Sequence, residues 1–368
     1  MSSSEVLLKE PGQFIAAVPA LLGFVPERSF VVVVLRPALP GNPLKVHVAA
    51  RFELPSTDEY SQLAERVTGV CRRSGAVAAL VVIVDDRIAR PGRGPDGGAA
   101  EQRPLVDALR HDLAGFDVAL PGAWAVPRIS EAAQWWNIDS PELRGLLPDP
   151  SASQVAAKHV YDGRVLHSSR EDLADSIAVD EALREQVSAV LPNAAADAQR
   201  RLVRAIVINN PDAYTRMALW QVMSVITHAR EGIPLPAQTI AEVAVALRDP
   251  AVRDSMFGVA GGVHAHAAEY LWGVLTRALP DPDRAEAATL LAFHAYLRGD
   301  GSLAGIALRQ ALASDPEHRM AVLLDTALQT AMDPTRLNRL VNSGIEVAAD
   351  LRIDIGSAAR DSSMEVAR

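Results

Sequence analysis

Five times in the later part of the chain an aspartate or asparagine stands directly before proline: Asn210-Pro211, Asp249-Pro250, Asp281-Pro282, Asp315-Pro316 and Asp333-Pro334. Each pair has the chemistry of a helix start. The side-chain oxygen accepts from free amides of the first turn, and proline lacks a donor where none is needed. Apolar residues recur at helical spacing after most of them. The early part is built differently, from dense β-branched runs at residues 29–35 and 76–84. This contrast points to an α+β or α/β chain. Residues 1–165 are expected to form a mixed α/β sandwich, and residues 166–368 an all-helical domain.

A length of 368 residues is enough for two cores, and 49% hydrophobic with 22% charged residues is the balance of a globular protein. The net charge of −9 argues against sequence-independent nucleic-acid binding, which needs a basic surface to neutralise phosphates. The pairs Arg72-Arg73 and Arg200-Arg201 do not outweigh it and fit solvated helix faces. The single cysteine, Cys71, excludes an internal disulfide and a cysteine metal cage. It falls on the helical stripe Leu63, Val67, Val70, Cys71, as a packed thiol would. Residues 1–12 show no cationic flank leading into an apolar core, and the apolar segment 14–25 is too short to span a bilayer. A cytoplasmic protein without a membrane partner is expected.

The early half opens with an apolar helix over residues 14–22, closed by Gly23 where a positive φ is wanted. The unbroken valines of 29–35 suit a strand covered on both faces. Pro40-Gly41-Asn42-Pro43 turns the chain, and residues 45–54 alternate as the return strand of a hairpin. Ser56-Thr57-Asp58 caps a helix running to about Arg73, Gly75 ends it, and 76–84 is another buried strand. Strand, helix, strand suggests a βαβ crossover. Residues 104–113 read as a helix, and 116–126 return to the sheet in pieces broken by Pro121-Gly122.

Three features in this half bear on function. Asp85 and Asp86 follow a buried strand, at the edge where open α/β sheets place ligands. Paired carboxylates there could hold a metal or share a proton, although charges also end strands simply where they meet water. Gly92-Arg93-Gly94-Pro95-Asp96-Gly97 matches G-x-G-x-x-G in form. A dinucleotide fingerprint needs that turn directly between strand and helix, and Pro95 removes an amide that phosphate would want, so a surface loop fits better. Trp135 and Trp136 are adjacent on an expected strand and so point to opposite faces. The outward ring could anchor a partner, while packing beneath the helical domain accords better with the usual burial of tryptophan.

The later half reads as helices over residues 169–179, 180–191, 194–207, 211–230, 236–248, 250–257 and 262–279. The segment 211–230, apolar nearly all round with Tyr214, Met217, Trp220 and Met223, is expected to be a central buried helix. At about 282–316 a helical hairpin turns at Gly299-Asp300-Gly301. Its Leu291, Ala292, Gly299, Ala304, Leu308, Ala311 and Pro316 keep the mutual spacings of the tetratricopeptide consensus, though one hairpin is not a solenoid. His264 and His266 would sit about 200° apart on a helix and cannot share an ion from one face. His294 lies on an apolar stripe and is expected as a hydrogen-bonded core residue. No His-Glu-x-x-His, Gly-x-Ser-x-Gly or EF-hand pattern occurs.

The run from Ile15 to Ser29, IAAVPALLGFVPERS, resembles the opening motif of an actinobacterial domain-of-unknown-function family, number 4192. The resemblance continues through Trp135-Trp136, the stretch from Leu247 to Asp254 and residues 288–316, and so spans nearly the whole chain. It implies a cytoplasmic protein and supplies no catalytic residues. Relatives often carry cysteines after the tryptophans; residues 137–150 have none, which speaks against a shared metal or redox role here.

Two functions fit. One is a non-enzymatic interaction or regulatory module binding a protein or peptide, with no metal and no cofactor. The alternative is a small-molecule or nucleotide-binding α/β protein, and then an enzyme, with its site near Asp85 and Asp86.

Overall fold

A run of β-branched residues gains most when both of its faces are covered, and the sheet is built around two such runs. The computed structural model describes residues 10–37, 42–88, 102–161, 165–229 and 233–356. The chain divides into two compact units, one running to Leu173 and including Thr330–Met332, the other formed by the remainder from Ala174. The first holds a mixed six-stranded sheet and the second is helical, an α+β organisation.

In the first unit β1 (Ser29–Pro37) pairs antiparallel with β2 (Leu44–Glu53) as the expected hairpin. The register slips between Val34 and Leu35, opposite Val48 and Val46, which leaves His47 as the extra residue of a bulge in this edge strand. A capping box at Ser56 and Glu59 starts the next helical segment, with Glu59 Oε2 accepting from the Ser56 amide at 3.2 Å. Helices α1 (Pro11–Leu22) and α2 (Tyr60–Arg73) flank the sheet strands in sequence, and Gly23 closes α1 at φ 80°. The βαβ unit suggested by strand order exists but skips a place. β1 lies between β2 and β3 (Ala78–Val84), antiparallel to both, because the hairpin already occupies one edge of β1. The directly paired parallel strands are β3 and β4 (Ala119–Val126), joined through α3 (Arg103–Ala114). Strands β5 (Gln134–Asn137) and β6 (Arg144–Leu146) extend the sheet antiparallel, in the order β2-β1-β3-β4-β5-β6.

Alternation sorts the sheet's two faces. Phe30, Val32, Val34, Val81 and Ile83 pack with Leu63, Val67 and Cys71 of α2 and with Leu105 and Leu109 of α3. On the other face Trp124 meets Phe14 of α1, with ring centroids 5.5 Å apart. Both faces are therefore covered, and every residue of β3 is buried. Burial pushes the Cys71 thiol up to about 11, so it remains protonated and packed. Two short helices follow, α4 (Gln154–Tyr161) within this unit and α5 (Arg170–Asp175), which spans the boundary at Leu173.

The helical unit opens with α6 (Glu181–Val207), one continuous 27-residue helix with Pro192 inside it, where the sequence suggested a break. Asp180 caps it by accepting from the Leu183 amide at 3.1 Å. Then come α7 (Asp212–His228), α8 (Ala237–Leu247), α9 (Pro250–Val259) and α10 (Ala265–Ala278). The hairpin α11 (Asp283–Leu297) and α12 (Gly301–Ser314) turns at Gly299, φ 86°, and α13 (Arg319–Gln329) and α14 (Asn338–Asp350) follow.

The central helix is not the expected one. In α7 only Ala218, Leu219, Val222, Met223 and Ile226 are buried, while Trp220 is 63% exposed. The centre is α11, where every residue from Arg284 to Tyr296 except Glu286 is buried, beneath α10, α12 and α13. Its alanines let those neighbours approach, which α7's larger side chains would prevent. Crossing α9 and α14 come closer still. A Cβ on Gly258 would stand 2.7 Å from the Ile345 nitrogen, and one on Gly344 would stand 2.6 Å from the Asp254 carbonyl oxygen, so both positions need glycine.

Candidate interaction surface

Asp85 and Asp86 sit at the carboxyl end of β3, but each is engaged with its own arginine. Buried Asp85 accepts from Arg87 through Nε at 2.8 Å, Nη2 at 3.0 Å and the backbone amide at 3.1 Å. Asp86 accepts from Arg28 Nε at 3.1 Å, and that hydrogen bond and charge hold its carboxyl below the usual range. Among the described residues no group of three or more His, Cys, Asp or Glu side chains is placed to hold a metal. The glycine-rich sequence Gly92 to Gly97 lies outside the described residues.

Trp135 and Trp136 take opposite faces of β5, as adjacent strand residues must. Trp136 is fully buried with the α2 and α3 side of the core. Trp135 is half-buried against two glycines. A Cβ on Gly12 would come within 3.1 Å of its Nε1, and one on Gly145 within 3.0 Å of its ring. Neither indole N–H has a hydrogen-bond partner among the described residues.

The polar groups inside the helical unit are mostly occupied. His294 is buried, donates from Nδ1 to the Leu290 carbonyl at 2.9 Å, and accepts at Nε2 from Trp272 Nε1 at 3.4 Å. Burial lowers its pKa to about 4 and keeps it neutral. His318 accepts the Ala321 amide at Nδ1, 3.2 Å, which leaves Nε2 to donate to Glu286 Oε2 at 3.2 Å. Arg298 makes a two-pronged pair with Glu269, both contacts 2.8 Å, and a third contact to Asp300 at 3.1 Å. These groups tie helix to helix and leave little reactive capacity.

What stands out instead is apolar surface. Val203, Ile206 and Val207 on α6, Ile208 after it, and Met217 and Trp220 on α7 are 44–77% exposed. Spacings of three and four residues put Val203, Ile206 and Val207 on one face of α6. That face is opposite the stripe Ala194, Ala198 and Arg201, which looks into a cleft shared with Tyr214, Met217 and Gln221 of α7 and Glu242 and Val245 of α8. The cleft is braced by Glu242, which accepts from Gln221 at 2.7 Å and Gln238 at 2.9 Å. It has room for only about 20 Å³, a single water's worth, against the roughly 300 Å³ a small-molecule pocket needs. The exposed face, not the cleft, is the feature able to engage another molecule.

Sequence reasoning did not single out Val203, Ile206, Val207 or Ile208, and it placed Met217 and Trp220 in the core. A signal was present. Between Leu202 and Ile208 only Arg204 is polar, so this turn carries more apolar faces than one neighbouring helix can cover.

A family model described as "Domain of unknown function (DUF4192)" matches residues 11–335. No curated protein and no solved structure matches the chain. No helix among the described residues is long and apolar enough to cross a membrane.

Proposed function

The chain belongs to the DUF4192 family, and from that premise we propose that it is a cytoplasmic, non-enzymatic interaction module that binds a partner protein through its helical unit. The observation that carries this is the exposed apolar surface of α6 and α7. A lone exposed leucine or valine is ordinary on a protein surface. Three large apolar side chains on one face of α6, Val203, Ile206 and Val207, are exposed together with Ile208 directly after them, a local concentration of the kind interfaces use, and Trp220 adds an exposed tryptophan on α7. A buried, unpaired Cys71 agrees with a reducing compartment.

The alternative, ligand binding near Asp85 and Asp86, has less support because both carboxylates already hold arginines. A thermal shift by a nucleotide or divalent metal, lost in Asp85→Asn/Asp86→Asn, would favour it over the interaction reading.

The direct test places a photo-crosslinking residue at Val203 or Trp220 of the full chain in its native cells. A discrete protein adduct that disappears on adding Ile206→Glu supports the proposal. Crosslinks that form only from positions elsewhere on the chain overturn it.

A further inference from the structure

The same face has an electrostatic signature that defines its partner further. On α6, at 100° per residue, Arg200 and Arg204 fall along one edge of the strip formed by Val203, Ile206 and Val207. Both of these arginines are exposed, while Arg201 belongs to the opposite, cleft-side stripe of the helix. Arg200 pairs with Asp197 one turn back, and Arg204, in the last turn of α6, carries the positive edge onward. Along this edge two arginines stand against the one aspartate that Arg200 holds, within a protein of net charge −9. Cations concentrated beside exposed aliphatic groups, in an otherwise acidic molecule, are what an acidic apolar partner would complement.

We propose that this face docks an acidic amphipathic helix, with apolar residues at three- and four-residue spacing over Val203, Ile206 and Val207 and carboxylates beside Arg200 and Arg204. This rests on the interaction function above and specifies its partner. A second copy laid antiparallel on the face by a two-fold axis would line the same arginines along one side of the interface, where they repel. A nucleic-acid backbone would find a positive edge but an aliphatic centre with nothing for phosphates to contact. A helix with a leucine stripe and glutamate margins meets both parts of the surface, packing side by side as two amphipathic helices do.

The test uses the full chain and three labelled synthetic 20-residue peptides that share one leucine stripe at i, i+3, i+4 and i+7. Their margins are glutamate, glutamine or lysine, and binding is read by fluorescence anisotropy. The glutamate peptide should bind at least about tenfold tighter than the lysine peptide, with the difference shrinking as salt rises. Arg200→Gln/Arg204→Gln should remove that preference, and Ile206→Ser/Val207→Ser should weaken all three peptides. Melting temperatures of the variants confirm that they fold; glutamine is chosen because Arg204 lies in the last turn of α6, where reversing the charge would oppose the helix dipole. Equal affinity for the glutamate and lysine peptides overturns the charge assignment but leaves the apolar docking face intact. No binding of any peptide, with crosslinks still forming at Trp220, shows a partner that is not such a helix. Concentration-dependent dimers lost in Ile206→Ser, or tighter binding to phosphatidylserine vesicles than to the glutamate peptide, would also overturn it.

Discussion

Single residues do in three dimensions what their chemistry promises only when geometry lets them. Asp249 accepts from the Ala251 amide at 2.9 Å and Asp333 from Thr335 at 2.9 Å, two true caps. Asp315 accepts from Glu317 in a turn ahead of α13, whose own cap is His318. Asn210 and Asp281 do not cap; Asp281 pairs with Arg284 instead. The use of His318 as a cap could not be read from a dipeptide pattern. Removing it by His318→Ala would free the Ala321 amide and leave Glu286, already lacking a partner at Oε1, without its donor. We expect a loss of about 2–3 kcal/mol in denaturant unfolding, and less in His318→Asn, which can still cap. His294 gives a pH signature. Its folded pKa is lowered from 6.5 to about 4, chiefly by burial and to a lesser extent by the charge of Arg298, against the Leu290 hydrogen bond. The unfolded chain therefore binds the extra proton between those values. Stability from this group is complete above pH 6.5 and is lost as the pH falls through 4, by about 3 kcal/mol in all. His294→Gln should flatten that acid limb.

At the scale of elements, periodicity located most helices and missed what sets their separation. The crossing of α9 and α14 depends on Gly258 and Gly344, neither of which has a positive φ or sits in a turn, so nothing in the local sequence identifies them. Gly344→Ala would force backbone against backbone and should cost about 2–3 kcal/mol in unfolding free energy, with a lower melting temperature. Gly273→Ala, on α10 with open space around it, is the matched control and should be neutral or slightly stabilising. Pro192 is an exposed residue inside α6, where it withholds an amide from the preceding turn. Pro192→Ala is expected to raise the melting temperature, with circular dichroism showing no loss of helix.

Across the whole molecule, burial and charge are distributed unequally. The outer faces of α6 and α7 contribute surface rather than core, so Val203→Glu and Trp220→Ser should change unfolding free energy by no more than about 0.5 kcal/mol. Each change should abolish crosslinking from a photo-reactive residue at the other of these two positions, separating the surface's role from stability. The contrast with α11 explains why hydrophobicity alone misassigned the core. Alanines and a neutral histidine fill its crowded centre, while a tryptophan and a methionine remain outside on α7.

From the amino-acid order alone came the local terms: strands where β-branched runs demand cover on both faces, helices where spacing and caps agree, and a hairpin turning at Gly299. Such features depend on neighbours within a few residues, and their energies act before the chain is packed. Tertiary structure decided which strand took the open edge of β1, which helix became the centre, and that Asp85 and Asp86 would each be held by an arginine. Those outcomes depend on how much surface distant elements can cover at once, a competition that no single window of sequence contains.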